Sequence, residues 1–343
     1  MGDLIERIFA PNTISQPENP IVKNGFLDNI QEGHIGKGHF GVVKIGLKQN
    51  KQYALKITIM NNYNMNECKL LHSICHKNIM RTYGYMTYYD NSTKLEFMLS
   101  KCEHYPYDLF TLLKDYSDGY QRLKISKVKR IMFDILSALD YLHNEKKVVH
   151  RDLKLDNILI TDIDNPKAIL CDFGQAKSIG DANFSGMIYG TQGYISPEIK
   201  MQKRPFDSRK NDIYCLGVIL NWISTGHSTN DEKEDMIPQF TDLDHFKKNI
   251  LHEDYSEIES DSNSIHCHKL FEDLTMYEPE KRISVEDVLK NEWLNDEKKE
   301  DFDIEDDSEN ISENILGDIL YELKPRLSQS IEDYVAGYQE DYM

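Results

Sequence analysis

The stretch HRDLKLDN, residues 150–157, lies between the apolar pairs Val148-Val149 and Ile158-Leu159. Asp152, Lys154 and Asn157 therefore sit beside segments with the character of a buried core. Charge at the edge of a core costs free energy unless it is paired, binds a metal or meets a ligand. The next fifteen residues of the chain supply such a partner. After Asn157, ILI reads as a short strand, TDIDNPK as a turn and AIL as a second strand that runs into CDFG. The strands of this hairpin are antiparallel, so the residue before the first and the residue after the second emerge at the same end. Asn157 and Asp172 are thus expected to be neighbours. An amide oxygen and a carboxylate at one strand edge suit a hard divalent cation that retains waters and substrate phosphates, as magnesium does. Asp152, five residues upstream, falls within reach of whatever that metal positions. A lone Asp or Asn near a strand more often caps a turn, but a second carboxylate at the matching end of the hairpin reverses that preference. Phe173 and Gly174 then offer a bulky anchor and a sharp change of backbone direction.

A second phosphate-binding device lies upstream in IGKGHFGVV, residues 35–43, where Gly36, Gly38 and Gly41 fall between two strands. A dinucleotide fold would need these glycines to open a helix, whereas VVKIGLKQNKQYALKI continues as strand, turn and strand. A Walker A loop would need Lys after Gly38, where His39 stands. What remains is a glycine-rich hairpin whose amides can lie across phosphates, with Val43 just beyond. On the next strand Ala54 and Lys56 share a face, and Leu55 and Ile57 share the other. A lysine beside a small residue leaves room for a flat ring and offers a point charge to phosphate, worth about 4 kcal/mol at about 4 Å in an intermediate dielectric. Glu67, the sole acid between Lys56 and Leu71, is placed to orient that lysine by an ion pair.

A chain of 343 residues can bury a substantial core, and two lobes or one domain with a tail are expected. The net charge of -18 is uneven: residues 295–343 hold about 16 Asp/Glu against about 4 Lys/Arg, roughly two thirds of the excess. That balance disfavours nucleic acid and anionic membrane surfaces as partners. The six cysteines are scattered without CxxC or zinc-type spacing, and no secretory signal is recognisable, so they read as reduced intracellular thiols and the expected compartment is cytoplasm or nucleus. The HCH at residues 266–268 is not expected to ligate metal, because residues two apart on a helix diverge. The longest apolar run, residues 215–223, is too short to span a membrane and contains Asn221. Glu6 occupies the Ser/Thr position of a myristoylation pattern, so no lipid anchor is expected.

Residues 1–25, with Pro11, Pro17 and Pro20, read as an irregular arm. Residues 26–59 fit three antiparallel strands. One short helix follows, from ECKLLHSICHKNIM, and then two strands around the polar turn at residues 90–93. From Ser126 the period changes: Val128, Ile131, Met132, Ile135, Leu139 and Leu142 fall on one helical face. The second half is mainly helical and ends near Leu294. The fold class expected is α+β, bilobal, with a small antiparallel-sheet N-lobe carrying one main helix and a larger helical C-lobe.

Taken in order, these residues closely resemble the eukaryotic protein kinase family from about Ile30 to Leu294. The resemblance implies a kinase domain over residues 26–294, with an N-lobe at 26–99, a linker at 100–104 and a C-lobe at 105–294. It implies that Ile35, Gly36, Lys37, Gly38, His39, Phe40, Gly41, Val42 and Val43 cover ATP. Ala54 would border the adenine, Lys56 would contact phosphates while pairing with Glu67, and Ser100 and Cys102 would meet the adenine edge, with Leu99 at the gate. Asp152 would serve as catalytic base or hydroxyl-orienting group, Lys154 would steady the γ-phosphate, and Asn157 and Asp172 would hold magnesium, or manganese in its place. Lys154 and Thr191, whose hydroxyl can bond to Asp152 and Lys154, imply the serine/threonine class. The family pattern further implies that GTQGYISPE, residues 190–198, ends an activation segment, that Asp212 and Gly217 support the catalytic loop, and that Arg282 pairs with Glu198. Arg151 would receive a phosphate carried by Ser185 or Tyr189. Asp108 and Asp156 lie where related kinases meet basic residues preceding the target hydroxyl. A catalytically silent scaffold is the alternative; retention of Lys56, Asp152, Asn157 and Asp172 weighs against it. Within the acidic tail, Ile311, Ile315, Leu316, Ile319, Leu320 and Leu323 define an amphipathic segment at about 309–324, fit to dock on the kinase itself or on a regulatory partner.

Overall fold

Alternation in the first hundred residues builds a sheet, and the arm before it becomes part of that sheet's core. The computed structural model describes residues 2–10, 20–23, 25–38, 41–115, 119–120, 123–183, 188–202, 206–225 and 261–295. The arm is not irregular throughout: it holds helix α1 (Gly2–Ile8) and the short α2 (Pro20–Lys23). Ile5 and Ile8, one turn apart, give α1 an apolar stripe, and Phe9 continues it. With Ile21 they are buried against Leu27, Ile30, Val42, Leu55, Ile57, Phe97 and Leu99 of the sheet.

The sheet consists of β1 (Asn29–Ile30), β2 (Gly36–Gly38), β3 (Gly41–Lys48), β4 (Lys51–Ile59), β5 (Thr82–Asp90) and β6 (Leu95–Glu103), ordered β1-β3-β4-β6-β5, with β2 hairpinned onto β3. Gln49 and Asn50 turn β3 into β4 with positive φ, the backbone twist that a two-residue hairpin needs. Cross-strand partners share a face. Val42, Ile57 and Leu99 therefore line the covered outer face, while Val43, Lys56 and Ser100 line the inner one. Gly41 is required by proximity: a Cβ there would run into the main-chain oxygen of Ile57. Between β4 and β5 lies the main N-lobe helix, α3 (Asn62–His72), which starts five residues before the stretch whose sequence reads as helix.

The C-lobe begins with β7 (Tyr107–Asp108) and α4 (Leu109–Leu113), followed by the short hairpin of β8 (Lys114–Asp115) and β9 (Gly119–Tyr120). Helix α5 (Ile125–Asp140) buries the face expected from its period and continues into a π-helical turn over Tyr141–Lys146, ended by Lys147 at φ 57°. Strands β10 (Val148–Val149), β11 (Ile158–Ile160), β12 (Ala168–Leu170) and β13 (Lys177–Ser178) frame the HRDLKLDN loop, with β11 and β12 antiparallel as expected. Helices α6 (Ile179–Asn183), α7 (Pro197–Lys200), α8 (Arg209–Thr225), α9 (Asp261–Thr275), α10 (Val285–Val288) and α11 (Glu292–Asn295) complete the described lobe. Nearly every residue of α8 is buried, and its Gly217 lets α9 approach: a Cβ would lie 2.5 Å from Thr275 Cγ2 and 2.9 Å from Leu274 Cβ. The two lobes are tied by the segment after α3. The Asn78 main-chain oxygen accepts from the Leu170 amide at 2.8 Å, and its side chain donates to the Ala168 oxygen at 3.0 Å, fixing this segment to the hairpin that carries Asp172.

Candidate active site

Two charged clusters meet at the end of the β11-β12 hairpin. In the first, Lys56 Nζ lies 2.6 Å from Glu67 Oε1 and 2.9 Å from Asp172 Oδ1. Burial alone would lower the Lys56 pKa, but the carboxylates of Asp172 and Glu67 outweigh it and raise the pKa above its ordinary value. The same lysine charge holds the Asp172 carboxyl below its ordinary range, against the opposing effect of burial. Only eleven positions separate Lys56 from Glu67, and the pair closes because α3 starts just three residues after β4 ends.

In the second cluster, Thr191 donates to Asp152 Oδ1 at 2.8 Å and accepts from Lys154 Nζ at 3.0 Å. Asn157 Nδ2 donates to the main-chain oxygen of Asp152 at 2.8 Å and more weakly to Oδ2 at 3.3 Å. With its nitrogen so engaged, Asn157 keeps its amide oxygen as the end available to a ligand. The two clusters share a hairpin: the Cys171 amide donates to the main-chain oxygen of Asn157 at 3.0 Å, directly ahead of Asp172.

Backbone strain aims these side chains. Arg151 has φ 73° and Asp172 has φ 58°, left-handed values that cost non-glycine residues on the order of 1–3 kcal/mol each. Asp212, fully buried on α8, secures the first: its carboxylate accepts the His150 and Arg151 amides at 2.9 Å each and meets His143 Nε2 at 2.8 Å. Burial would raise the Asp212 pKa, yet the hydrogen bonds from His143 and the Arg151 amide bring it below the ordinary value. Phe173 secures the second, packed in the C-lobe core and edge-on to His150, whose Nε2 lies 3.0 Å from the Cys171 oxygen.

Several positions expected from the sequence need correction, chiefly because the phase of an alternating strand depends on which face another element covers. Ser100 and Cys102 belong to β6 and not to a linker. Ser100 faces Lys56, with Cys68 Sγ 2.9 Å from its hydroxyl, and Cys102 faces Ala54. The unpaired stretch between lobes comprises residues 104–106. Leu99 and Val42 point into the outer core beneath α1, away from the cleft, so Leu99 is no gate and the Val42 side chain meets no nucleotide. Val43, Ala54 and Cys102 line the cleft side instead. Ile35 is half-exposed, and Gly36, Lys37 and Gly38 form β2. His39 and Phe40 lie outside the described residues, as do Ser185 and the amphipathic segment at 309–324. Asp108 caps α4, accepting the Thr111 amide at 2.7 Å and its hydroxyl at 2.8 Å, whereas Asp156 is exposed. Tyr189 is buried, with the Arg151 guanidinium 3.6 Å from its ring centroid. Arg282 and Glu198 form a fully buried two-pronged ion pair at 2.7 and 3.0 Å. The supporting roles of His143 and Asn78 escape a reading of the sequence, since nothing local announces their distant partners.

No group of three or more His, Cys, Asp or Glu side chains able to hold a metal occurs among the described residues. Asn157 and Asp172 offer an amide oxygen and a carboxylate, hard oxygen donors of the kind that suits a cation ligated also by phosphate and water. No helix among the described residues is long and apolar enough to cross a membrane.

A bilobal fold with this cleft defines a class, and sequence comparison agrees: the protein kinase domain profile matches residues 30–294. The chain belongs to the protein kinase domain family. It is 29% identical over 282 residues to the serine/threonine-protein kinase atg1 of Dictyostelium discoideum, covering 78% of this chain and 39% of that protein. It is 28% identical over 249 residues to the cysteine-rich receptor-like protein kinase 41 of Arabidopsis thaliana, covering 68% and 36%. It is 26% identical over 277 residues to the serine/threonine-protein kinase dkf-1 of Caenorhabditis elegans, covering 77% and 36%. The chain thus spans less than two fifths of the length of each of these relatives.

Proposed function

We propose that this chain transfers the γ-phosphate of ATP to serine and threonine hydroxyls of protein substrates. The observation that carries the reading is the contact set Asp152–Thr191–Lys154, held at hydrogen-bond distance beside Asn157. Thr191 takes Asp152 Oδ1 at 2.8 Å, whereas Oδ2 holds only the longer contacts to Asn157 at 3.3 Å and Lys154 at 3.5 Å, so Oδ2 is the oxygen that meets the acceptor hydroxyl and receives or orients its proton. Lys154 places a fixed positive charge where the transferred group gains negative character, and Thr191 keeps Asp152 and Lys154 in register. Lys56, braced by Glu67, grips the phosphates, and the hairpin amides around Gly36 and Gly38 cover them. Magnesium, held by Asn157 and Asp172, would screen the negative charge of those phosphates. The serine/threonine assignment is supported by Lys154 and Thr191 and by the names of the Dictyostelium and Caenorhabditis relatives. A preference for a basic residue before the target rests on Asp156, because Asp108 is engaged as a helix cap.

A peptide array incubated with magnesium and ATP tests this, wild type beside Asp152→Ala. Phosphoserine and phosphothreonine are expected from the wild type alone, with transfer reduced about 10²- to 10⁴-fold in the variant. Absence of transfer by the wild type, or equal transfer by both, would overturn the proposal.

A further inference from the structure

The N-terminal helix makes polar contacts that its packing role does not need. Lys44, on β3, is almost wholly buried on the outer face of the sheet, and its ammonium is held by two groups: Glu6 Oε2 of α1 at 3.0 Å and the main-chain oxygen of Gly33 at 3.0 Å. Gly33 lies three residues before β2, the ascending limb of the glycine-rich hairpin. The other Glu6 oxygen lies 3.0 Å from His34 Nδ1, in the same approach. One turn earlier, Asp3 Oδ1 lies 2.6 Å from Lys37 Nζ, between the first two glycines of the hairpin. Thus α1 touches the approach to β2, β2 itself and β3.

The contacts differ in weight. The Asp3–Lys37 pair is exposed, and exposed pairs contribute little. The Glu6–Lys44–Gly33 contact is different, because a buried ammonium that loses its carboxylate must find another partner or open the structure around it. Packing of Ile5 and Phe9 fixes where α1 sits, and that in turn fixes where Glu6 can hold Lys44.

We infer that Glu6, acting through Lys44 and Gly33, is a positioning residue that sets the glycine-rich hairpin over the nucleotide. The inference rests on the kinase reading above, since it assigns the hairpin to ATP. Glu6 touches no substrate; it restricts the entry to β2, so that the hairpin amides are arranged before ATP arrives. Preorganisation of this kind appears in the affinity for the group being held and leaves the chemical step largely alone.

The test compares full-length wild type with Glu6→Gln, Glu6→Asp and the double variant Glu6→Gln/Lys44→Met. The double variant removes the tether without leaving a buried cation, which keeps the experiment decisive if Glu6→Gln alone folds poorly. The KM for ATP is expected to rise about three- to tenfold in Glu6→Gln and in the double variant. The KM for peptide and kcat should change little, and Glu6→Asp should restore most of the loss. Amide hydrogen exchange across residues 33–38 should accelerate in the same two variants, with no nucleotide present. A lower melting temperature with unchanged KM for ATP and unchanged exchange would make Glu6 merely structural and overturn the inference. If the wild type itself fails to use ATP, the kinase reading falls, and the exchange measurement still decides whether Glu6 holds the hairpin.

Discussion

Asp152 is fixed from three sides, by Thr191, Lys154 and Asn157, and each contact can be removed separately. Thr191→Ala is expected to lower kcat about tenfold or more, while Thr191→Ser, which keeps the hydroxyl, should retain most of it; steady-state kinetics on one peptide checks the pair. The buried Asp212 carboxylate links stability to pH. Its folded pKa lies below the ordinary 3.8, so its contribution is present above that value. As pH falls, the unfolded chain takes up the proton first, and the contribution disappears as pH drops through the folded value. Thermal melts below about pH 4 should therefore show a steep acid limb that is shallower in Asp212→Asn. Asp152, Lys154, Asn157 and Asp172 are legible in the sequence because a loop and one hairpin bring them together, and local spacing is what a sequence displays. Val42 and Leu99 are not, because a strand of alternating apolar residues fits either face. The choice is made by α1, far away in the chain.

The helices and strands follow their patterns where a single face is apolar, as in α5, and depart from them where tertiary contacts take over. The arm shows this best: proline content at residues 11–20 suggests irregular chain, yet Ile5, Ile8 and Phe9 have a sheet to cover and so form a packed helix end. Gly217→Ala would drive a methyl into Leu274 and Thr275, and should destabilise the C-lobe by about 1–3 kcal/mol in denaturant unfolding. Arg282 bridges α7, the start of α8 and the residue that follows α9 through Glu198, Lys210 and Met276. Arg282→Ala leaves the Glu198 carboxylate buried without its partner, and a loss of about 3–5 kcal/mol is expected by the same unfolding measurement. Either residue can be paired from the sequence only through the family resemblance, because 84 positions separate Arg282 from Glu198.

Across the whole molecule, the bilobal division is readable from the change of period near Ser126, whereas the joint between lobes is not. The chain crosses at residues 104–106, but a second tie runs through Asn78 to the β12 strand, and such main-chain bonds leave no mark on composition. Through these ties the lobes bring Lys56 of the sheet against Asp172 of the hairpin, beside Asn157. The arrangement implies that metal and nucleotide strengthen each other's binding at this one place. The direct measurement is the affinity of the full chain for ATP with magnesium and with the metal chelated, in wild type, Asn157→Ala and Asp172→Asn. Binding about 5- to 150-fold tighter with magnesium is expected in the wild type, with the difference largely lost in both variants. Equal wild-type affinity under the two conditions, or an undiminished magnesium effect in the variants, would contradict it.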